Sequence, residues 1–190
     1  MKKILITFLF SSLFSCYAFT GKAVKIKGDV LINNIPLTFK TVIKDGDVIV
    51  AKGKKSFSQI KMTNGSTFLI RDGKLTIVAK NKNKSGVNLA KGLLHIFFDK
   101  TKNSDFKVWT KNGSLGVRGT KFLVMETSDD TYLCVCEGVV NASNQKMSLD
   151  VTKGQDIHMT KSNNLKTFEA NKRMWSIANK GFDLMGIPLK

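Results

Sequence analysis

Proline is nearly absent from this sequence. Its 190 residues include only Pro36 and Pro188, so candidate strands are free of a residue that cannot donate to a β-ladder. After the first 18 residues, no apolar run is long enough to span a membrane, and the run at 92–98 has the length of a strand. Apolar residues make up 42% of the chain, which suffices for a packed core.

Residue constellations typical of enzymes are also lacking. The two histidines, His95 and His158, lie far apart in the chain, and neither stands in a GxSxG or HExxH motif. Glutamate occurs only three times, and most aspartates stand in turn contexts, where side-chain to backbone hydrogen bonds account for them. Phosphate-binding and dinucleotide-binding glycine patterns are absent. We therefore expect no catalytic residues, no metal site and no cofactor.

Cysteine is sparse. Apart from Cys16, the chain has Cys134 and Cys136, which on a β-strand point to the same face. Their spacing there is at the upper edge of disulfide geometry, so a bridge would be strained. We favour two small buried apolar side chains, with a thiol pair as the alternative.

One apolar segment does stand out, at the N-terminus. Two lysines precede an apolar stretch at 4–14 that is shorter than the roughly 20 residues of a membrane span. Small residues before position 19 fit cleavage after Ala18, so we expect 1–18 to be a signal peptide. A lipoprotein-like box around Cys16 is the alternative, in which Cys16 is lipidated. Either interpretation predicts a periplasmic or secreted protein, free or lipid-anchored.

Charge is strongly one-sided. The chain has 31 Lys and Arg against 14 Asp and Glu, and removing Lys2 and Lys3 leaves 29 against 14, a net charge of +15. Such a surface attracts polyanions. Only three of the basic residues are Arg and aromatic platforms are few, so we expect no nucleic acid partner. A solvated lysine surface is the simpler interpretation, and anionic envelope polymers are the other candidates.

Short alternating segments fill the chain from 21 to 160. Asn64-Gly65 and Asp72-Gly73 separate alternating apolar segments, which is the strongest short-range signal of hairpin turns. The pattern predicts an all-β domain over 21–160, with short strands in a stacked or coiled sheet like that of a β-solenoid or a sandwich.

A helix is predicted only in the C-terminal extension, 161–190. Thr167 is a candidate N-cap, and Gly181 a candidate stop. We expect Trp175 to pack the helix onto the β domain. A peripheral amphipathic membrane helix is the alternative.

The most distinctive local stretch lies at 112–124. Gly116 and Gly119 would let the backbone bend or approach another strand. Val117 and Phe122 can fill a core. Arg118, which offers five donors, is interpreted as tying neighbouring loops together rather than capturing a ligand.

This stretch resembles the characteristic motif of the FecR family, which is named for a regulator of ferric citrate uptake. Asp45-Gly46-Asp47-Val48 and Asn64-Gly65-Ser66 precede it, and a strand at 135–140 follows it, in the order that the family shows. The motif residues are Gly116, Val117, Arg118, Gly119, Thr120 and Phe122.

The resemblance implies an all-β sensing or interaction module without catalytic residues. Regulators of the family resemble an anti-sigma segment and a membrane helix joined to this domain, whereas here we expect a stand-alone domain behind a signal peptide. The expected partner is therefore an envelope protein, with anionic cell-wall polymer or lipopolysaccharide as the alternative. The oligomeric state stays open, and a membrane enters only through a lipid anchor on Cys16.

Overall fold

A computed structural model describes residues 19–81, 84–99 and 105–189, and the expected signal peptide with Cys16 lies outside them. They form one twelve-stranded β-sheet and one helix, α1. The strands are β1 Gly21–Ile32, β2 Ile35–Pro36, β3 Val42–Ile43, β4 Val48–Met62, β5 Thr67–Asn81, β6 Lys84–Phe97, β7 Asp105–Trp109, β8 Ser114–Glu126, β9 Thr131–Ser143, β10 Ser148–Thr152, β11 Gln155–Met159 and β12 Phe168–Glu169; helix α1 is Lys172–Met185.

The strand order follows the chain order closely. From one edge the sheet runs β12-β11-β9-β8-β7-β6-β5-β4-β1-β2, with β10 beside β9 and β3 beside β1. The pairs are antiparallel except β6 with β7. Strand β7 lies between β6 and β8 over only part of their length, and the remainder of β6 pairs directly with β8.

The long strands bend midway. The pairing of β4 with β5 jumps from Ala51 opposite Gly73 to Phe57 opposite Arg71, so one strand carries several extra residues there. Such bulges increase the local bend and twist. Glycines mark the bends across the sheet, at Gly28, Gly53, Gly73, Gly92, Gly119 and Gly138. Side chains from both halves of the bent strands pack into a single apolar cluster, the inner core.

The opposite face of one half of the sheet is covered by α1. Strand β5 shows the division, because Phe68 and Ile70 point into the inner core while Leu69 packs toward the helix. Ala178 and Phe182 of α1 are fully buried against this face. This second cluster, the helix-covered face, explains why the first six residues of β9 are all buried.

The helix differs from its predicted bounds at both ends. Asn171, not Thr167, is the N-cap, and its side chain accepts hydrogen bonds from the backbone of Arg173 and Met174. Phe168 belongs instead to β12. Gly181 lies inside the helix, which ends at Gly186 in the left-handed conformation.

The all-β fold with one C-terminal helix is confirmed, although several strands are 12 to 15 residues long rather than short. The turn at Asn64-Gly65 is confirmed, whereas Asp72-Gly73 lies inside β5. Asp72 has a φ of 42°, so the left-handed preference of this dipeptide serves a bend within a strand. Among the described residues, no helix has the length and hydropathy that crossing a membrane requires.

Candidate functional site

The FecR-like motif lies in the centre of the sheet, on β8. Val117 and Phe122 are buried in the inner core, and Thr120 is buried with no partner for its hydroxyl among the described residues. Gly119 has a φ of +62°, a conformation that disfavours other residues. Gly116 has room for a side chain, since an added Cβ would stand 3.8 Å from its nearest neighbour.

Arg118 can be placed only through its backbone, which lies opposite Val139 of β9. Its side chain is outside the described part of the structure, so its role as an internal tie stays a prediction.

Cys134 and Cys136 are free thiols, buried on the helix-covered face. A hydrogen bond from Cys136 lowers the pKa of Cys134, and the same bond raises the pKa of Cys136. The pair therefore lies beneath α1, shielded from solvent.

The two histidines do not come together. His95 lies under α1, where its Nε2 donates to the carbonyl of Ile177 at 3.2 Å and its ring meets Phe182 edge-on. Burial lowers the pKa of His95 to about 4, so the ring is neutral at pH 7. His158 is exposed on β11 and pairs with Asp130 at 2.5 Å. No cluster of three His, Cys, Asp or Glu side chains that could hold a metal ion occurs in the described ranges.

An exposed apolar patch follows the start of the β domain. We define the apolar patch as Val24, Ile35, Phe39 and Val42, which are 46%, 62%, 60% and 55% exposed. Val42 pairs with Lys22 of β1, two residues from Val24, and Ile35 pairs with Ile32 at the other end of that strand. These are four of the six large apolar side chains that the described residues expose, and only Val139 and Phe168 lie elsewhere.

Exposed lysines stand in the same segments of the chain as the apolar patch. The neighbouring exposed cations are Lys22, Lys25, Lys27, Lys40 and Lys44. Apolar and cationic side chains therefore share this edge of the sheet, which suits a partner that presents apolar and acidic side chains.

A groove of about 800 Å³ runs between the bent strands and the first half of α1. We call it the basic groove. Its apolar wall consists of Leu93, Met125, Met174 and Ile177. Its cationic rim consists of Lys54, Arg71, Lys91 and Lys111, which come from β4, β5, β6 and the turn after β7.

Two carboxylates also line the basic groove. Asp72 is exposed, and its Oδ1 accepts a hydrogen bond from the backbone of Gly53 at 3.1 Å. Glu126 is buried, and its Oε2 accepts from the hydroxyl of Thr131. Burial raises the pKa of Glu126. The groove therefore offers acceptors as well as cations.

A second groove, of about 680 Å³, lies on the other side of the start of α1. Asp156 accepts hydrogen bonds from the Tyr132 hydroxyl at 2.6 Å and from the backbone of Asn171 at 3.0 Å. The polar groups at the centre of this groove bond to each other. These bonds attach the start of α1 to β9 and β11.

Comparison with known proteins identifies the family. The family model described as FecR protein matches residues 47–141, half of the chain. The chain belongs to the FecR family. A comparison with curated proteins returns no match.

Solved structures support the same fold. Two crystal structures of "a putative anti-sigma factor from Parabacteroides distasonis ATCC 8503" are 12% identical to this FecR protein, each with a TM-score of 0.58. Each match covers 68% of this chain and 62% of the other, so the chain spans less than two thirds of their length.

The family segment contains most of the inner core and the rim of the basic groove, but neither the apolar patch nor α1. Sequence reasoning missed both surfaces. Ile35 and Phe39, close together in a short polar connection, were an available signal for the patch. The groove had no local signal, because four separate elements assemble its rim.

Proposed function

We propose that this FecR protein is an exported interaction module without enzymatic activity, and that it binds a protein partner through the apolar patch. The exposure of Ile35, Phe39 and Val42 carries the proposal. Of the four large apolar side chains that are more than half exposed among the described residues, these three fall within eight positions of the chain.

Burial of the patch would supply much of the binding free energy. Covering one large apolar side chain contributes about 1.5–3 kcal/mol when it becomes fully buried. The neighbouring lysines disfavour a second copy of the same chain, since like charges would face one another. The partner is therefore expected to be a different protein that presents apolar and acidic side chains.

The family supports a regulatory or sensing role. FecR membership and the anti-sigma description of the structural neighbours both belong to proteins that act through protein contacts. We extend that class to this chain, with an envelope protein as the partner.

The test is a pull-down from envelope fractions of the native host, with each captured protein compared between variants. Phe39→Ala and Ile35→Ala should each weaken capture of the true partner by about tenfold, because truncating a central apolar contact costs more than about 1 kcal/mol. Phe168→Ala is the matched control, since Phe168 is 54% exposed outside the patch. Equal capture by Phe39→Ala and the unchanged protein would reject the patch as the docking surface.

Binding of an anionic cell-wall polymer or lipopolysaccharide is the second candidate. Its support is the lysine surface, because Lys54, Lys91 and Lys111 form no ion pair with described residues. Salt separates the two candidates. Polyanion binding should collapse as ionic strength rises, whereas apolar docking should persist.

Export of the protein can be tested separately, by mass. The intact mass of the mature protein from its native host would show cleavage after Ala18 or an acylated Cys16. A mass that retains residues 1–18 would contradict export.

A further inference from the structure

The basic groove contains a guanidinium without a partner among the described residues. The Arg71 side chain is half-buried, yet its guanidinium makes no hydrogen bond or ion pair with any side chain or carbonyl in the described part of the chain. Arginine offers a planar fork that matches a carboxylate or phosphate, and withdrawing it partly from water without a partner is unfavourable. An anionic group bound in the groove would satisfy it.

The remaining rim has the same sign. Lys54, Lys91 and Lys111 add three cations around Arg71, against two carboxylates, so the groove has a net positive charge. A ligand is therefore expected to carry more than one negative charge.

The wall of the groove is apolar. Leu93, Met125, Met174 and Ile177 are each only partly buried against the helix-covered face, and all four line the groove. Two of them are methionines, whose flexible thioethers adapt to differently shaped apolar groups. An inorganic polyanion would leave this apolar wall exposed to solvent, whereas a ligand with an apolar side chain would cover it.

Asp72 favours a peptide over a phosphate polymer as the ligand. One of its oxygens holds Gly53, and its other oxygen has no described partner on an exposed side chain. A phosphate polymer would be repelled by this carboxylate. A peptide can instead donate a backbone N–H to it while its own carboxylates meet the rim.

We infer that the basic groove binds a short acidic peptide segment, with Arg71 clamping a carboxylate, the methionine-containing wall holding an apolar side chain and Asp72 accepting a peptide N–H. This site is separate in composition from the apolar patch, so the inference stands or falls independently of docking at the patch. It competes with the polymer candidate, whose three lysines belong to this same rim.

The probe is a fluorescein-labelled hexapeptide of alternating Glu and Leu, measured by anisotropy with the folded mature protein at physiological salt. Peptides of alternating Gln and Leu, and of alternating Glu and Gly, remove the charge and the apolar side chain in turn. Each should bind at least about tenfold more weakly, because each control peptide removes all the interactions of one kind.

Arg71→Ala should weaken binding of the Glu-Leu peptide by about tenfold or more, and Lys111→Ala by a smaller factor. Lys111 is exposed in a turn, so this second variant keeps the test valid if Arg71→Ala lowers stability. Lys146→Ala is the matched control, because Lys146 is an exposed lysine outside the groove. Unchanged binding in both groove variants would overturn the inference.

Asp72→Asn gives the sharpest distinction. Asparagine tolerates the left-handed backbone at this position and can keep the bond from Gly53, so mainly the charge changes. Polyphosphate should bind this variant more tightly, whereas the Glu-Leu peptide should bind no more tightly or several-fold more weakly. If the variant strengthens both probes alike, the groove is a nonspecific polyanion site and the peptide assignment is wrong.

Discussion

Different interactions stabilise the two faces of the sheet. The inner core is packed from apolar side chains of both strand halves, with Phe68, Phe98 and Phe106 stacked at ring distances of 5.5 and 6.4 Å. The helix-covered face combines apolar contacts with polar bonds to the helix. We expect the inner core to stabilise the sheet, whereas the attachment of α1 depends on polar bonds as well as on apolar contacts.

The polar attachment runs along α1 and the residues after it, and three of its four bonds lie near the C-terminal end of the helix. Side chains from four strands donate to carbonyls there. The bonds run from Lys25 to Leu184, from Gln59 to Met185 at 3.0 Å, from His95 to Ile177 at 3.2 Å and from Lys121 to Pro188 at 2.7 Å. Carbonyls at a helix C-terminus lack intrahelical partners, and cations stabilise the negative end of the helix dipole.

The largest expected effect is a cavity in the inner core. Phe122→Ala should lower the free energy of unfolding by about 3–5 kcal/mol, since Phe122 is fully buried. Urea unfolding followed by circular dichroism measures it. Phe182→Ala on α1 is the counterpart, and it should release the helix while most of the sheet stays protected in hydrogen exchange. Equal loss of protection across the sheet in both variants would show that the two faces form one cooperative unit.

The second prediction concerns acid. The folded protein holds the pKa of His95 at about 4, below its value of 6.5 in an unfolded chain, so the unfolded state binds a proton first as pH falls. The contribution of neutral His95 to the free energy of unfolding is fully present above pH 6.5. About 3 kcal/mol of that free energy is lost as the pH falls from 6.5 to 4.

The control for the acid prediction is His95→Gln. Glu126 titrates in the opposite sense, because its raised pKa favours the protonated folded state, so only the difference between the two proteins isolates His95. Urea midpoints at several pH values measure that difference. The same pH dependence in both proteins would contradict the prediction.

Gly181→Ala should have the next largest effect. An added Cβ would lie 1.9 Å from Nε2 of His95, so the ring or the helix must move, at about 2 kcal/mol. Gly116→Ala has space on β8 and should change stability by less than about 0.5 kcal/mol. Thermal unfolding of both variants makes the comparison, and a tolerated Gly181→Ala would mean that α1 is held loosely.

The smallest effect is at the start of α1. Asn171→Ala removes the N-cap bonds and should cost about 1 kcal/mol, whereas Thr167→Ala should cost almost nothing. Thermal unfolding followed by helical circular dichroism distinguishes the two. A larger loss from Thr167→Ala would place the helix start where the sequence suggested.

Sequence patterns predicted the sheet because alternation and turn residues act locally. Asn64-Gly65 was correctly predicted as a turn, but Asp72-Gly73 has the same preference and marks a bend instead, since neighbouring strands decide whether the chain reverses. Thr167 and Asn171 are both good N-caps. The structure selects Asn171 because its backbone bonds to Asp156, far away in sequence.

The candidate surfaces were harder to predict than the fold. Gly181 was predicted to end the helix, but in the structure it allows the helix to approach His95 closely. That role depends on a residue of another element, so the local sequence does not reveal it. The rim of the basic groove requires the register of β4, β5 and β6 at their bends. These registers depend on where one strand has extra residues relative to its neighbour. A single sequence does not reveal those positions.

The near-sequential strand order has a consequence for how the molecule assembles. Most strands pair with their neighbour in the chain, so hairpins can form one after another with short loop closures, which favours rapid folding. Helix α1 is the last of the described elements along the chain, and it bonds to β1, the first of the described strands, through Lys25. This long-range closure joins the two ends of the described chain, so we expect it to form last in folding and to break first when the protein unfolds.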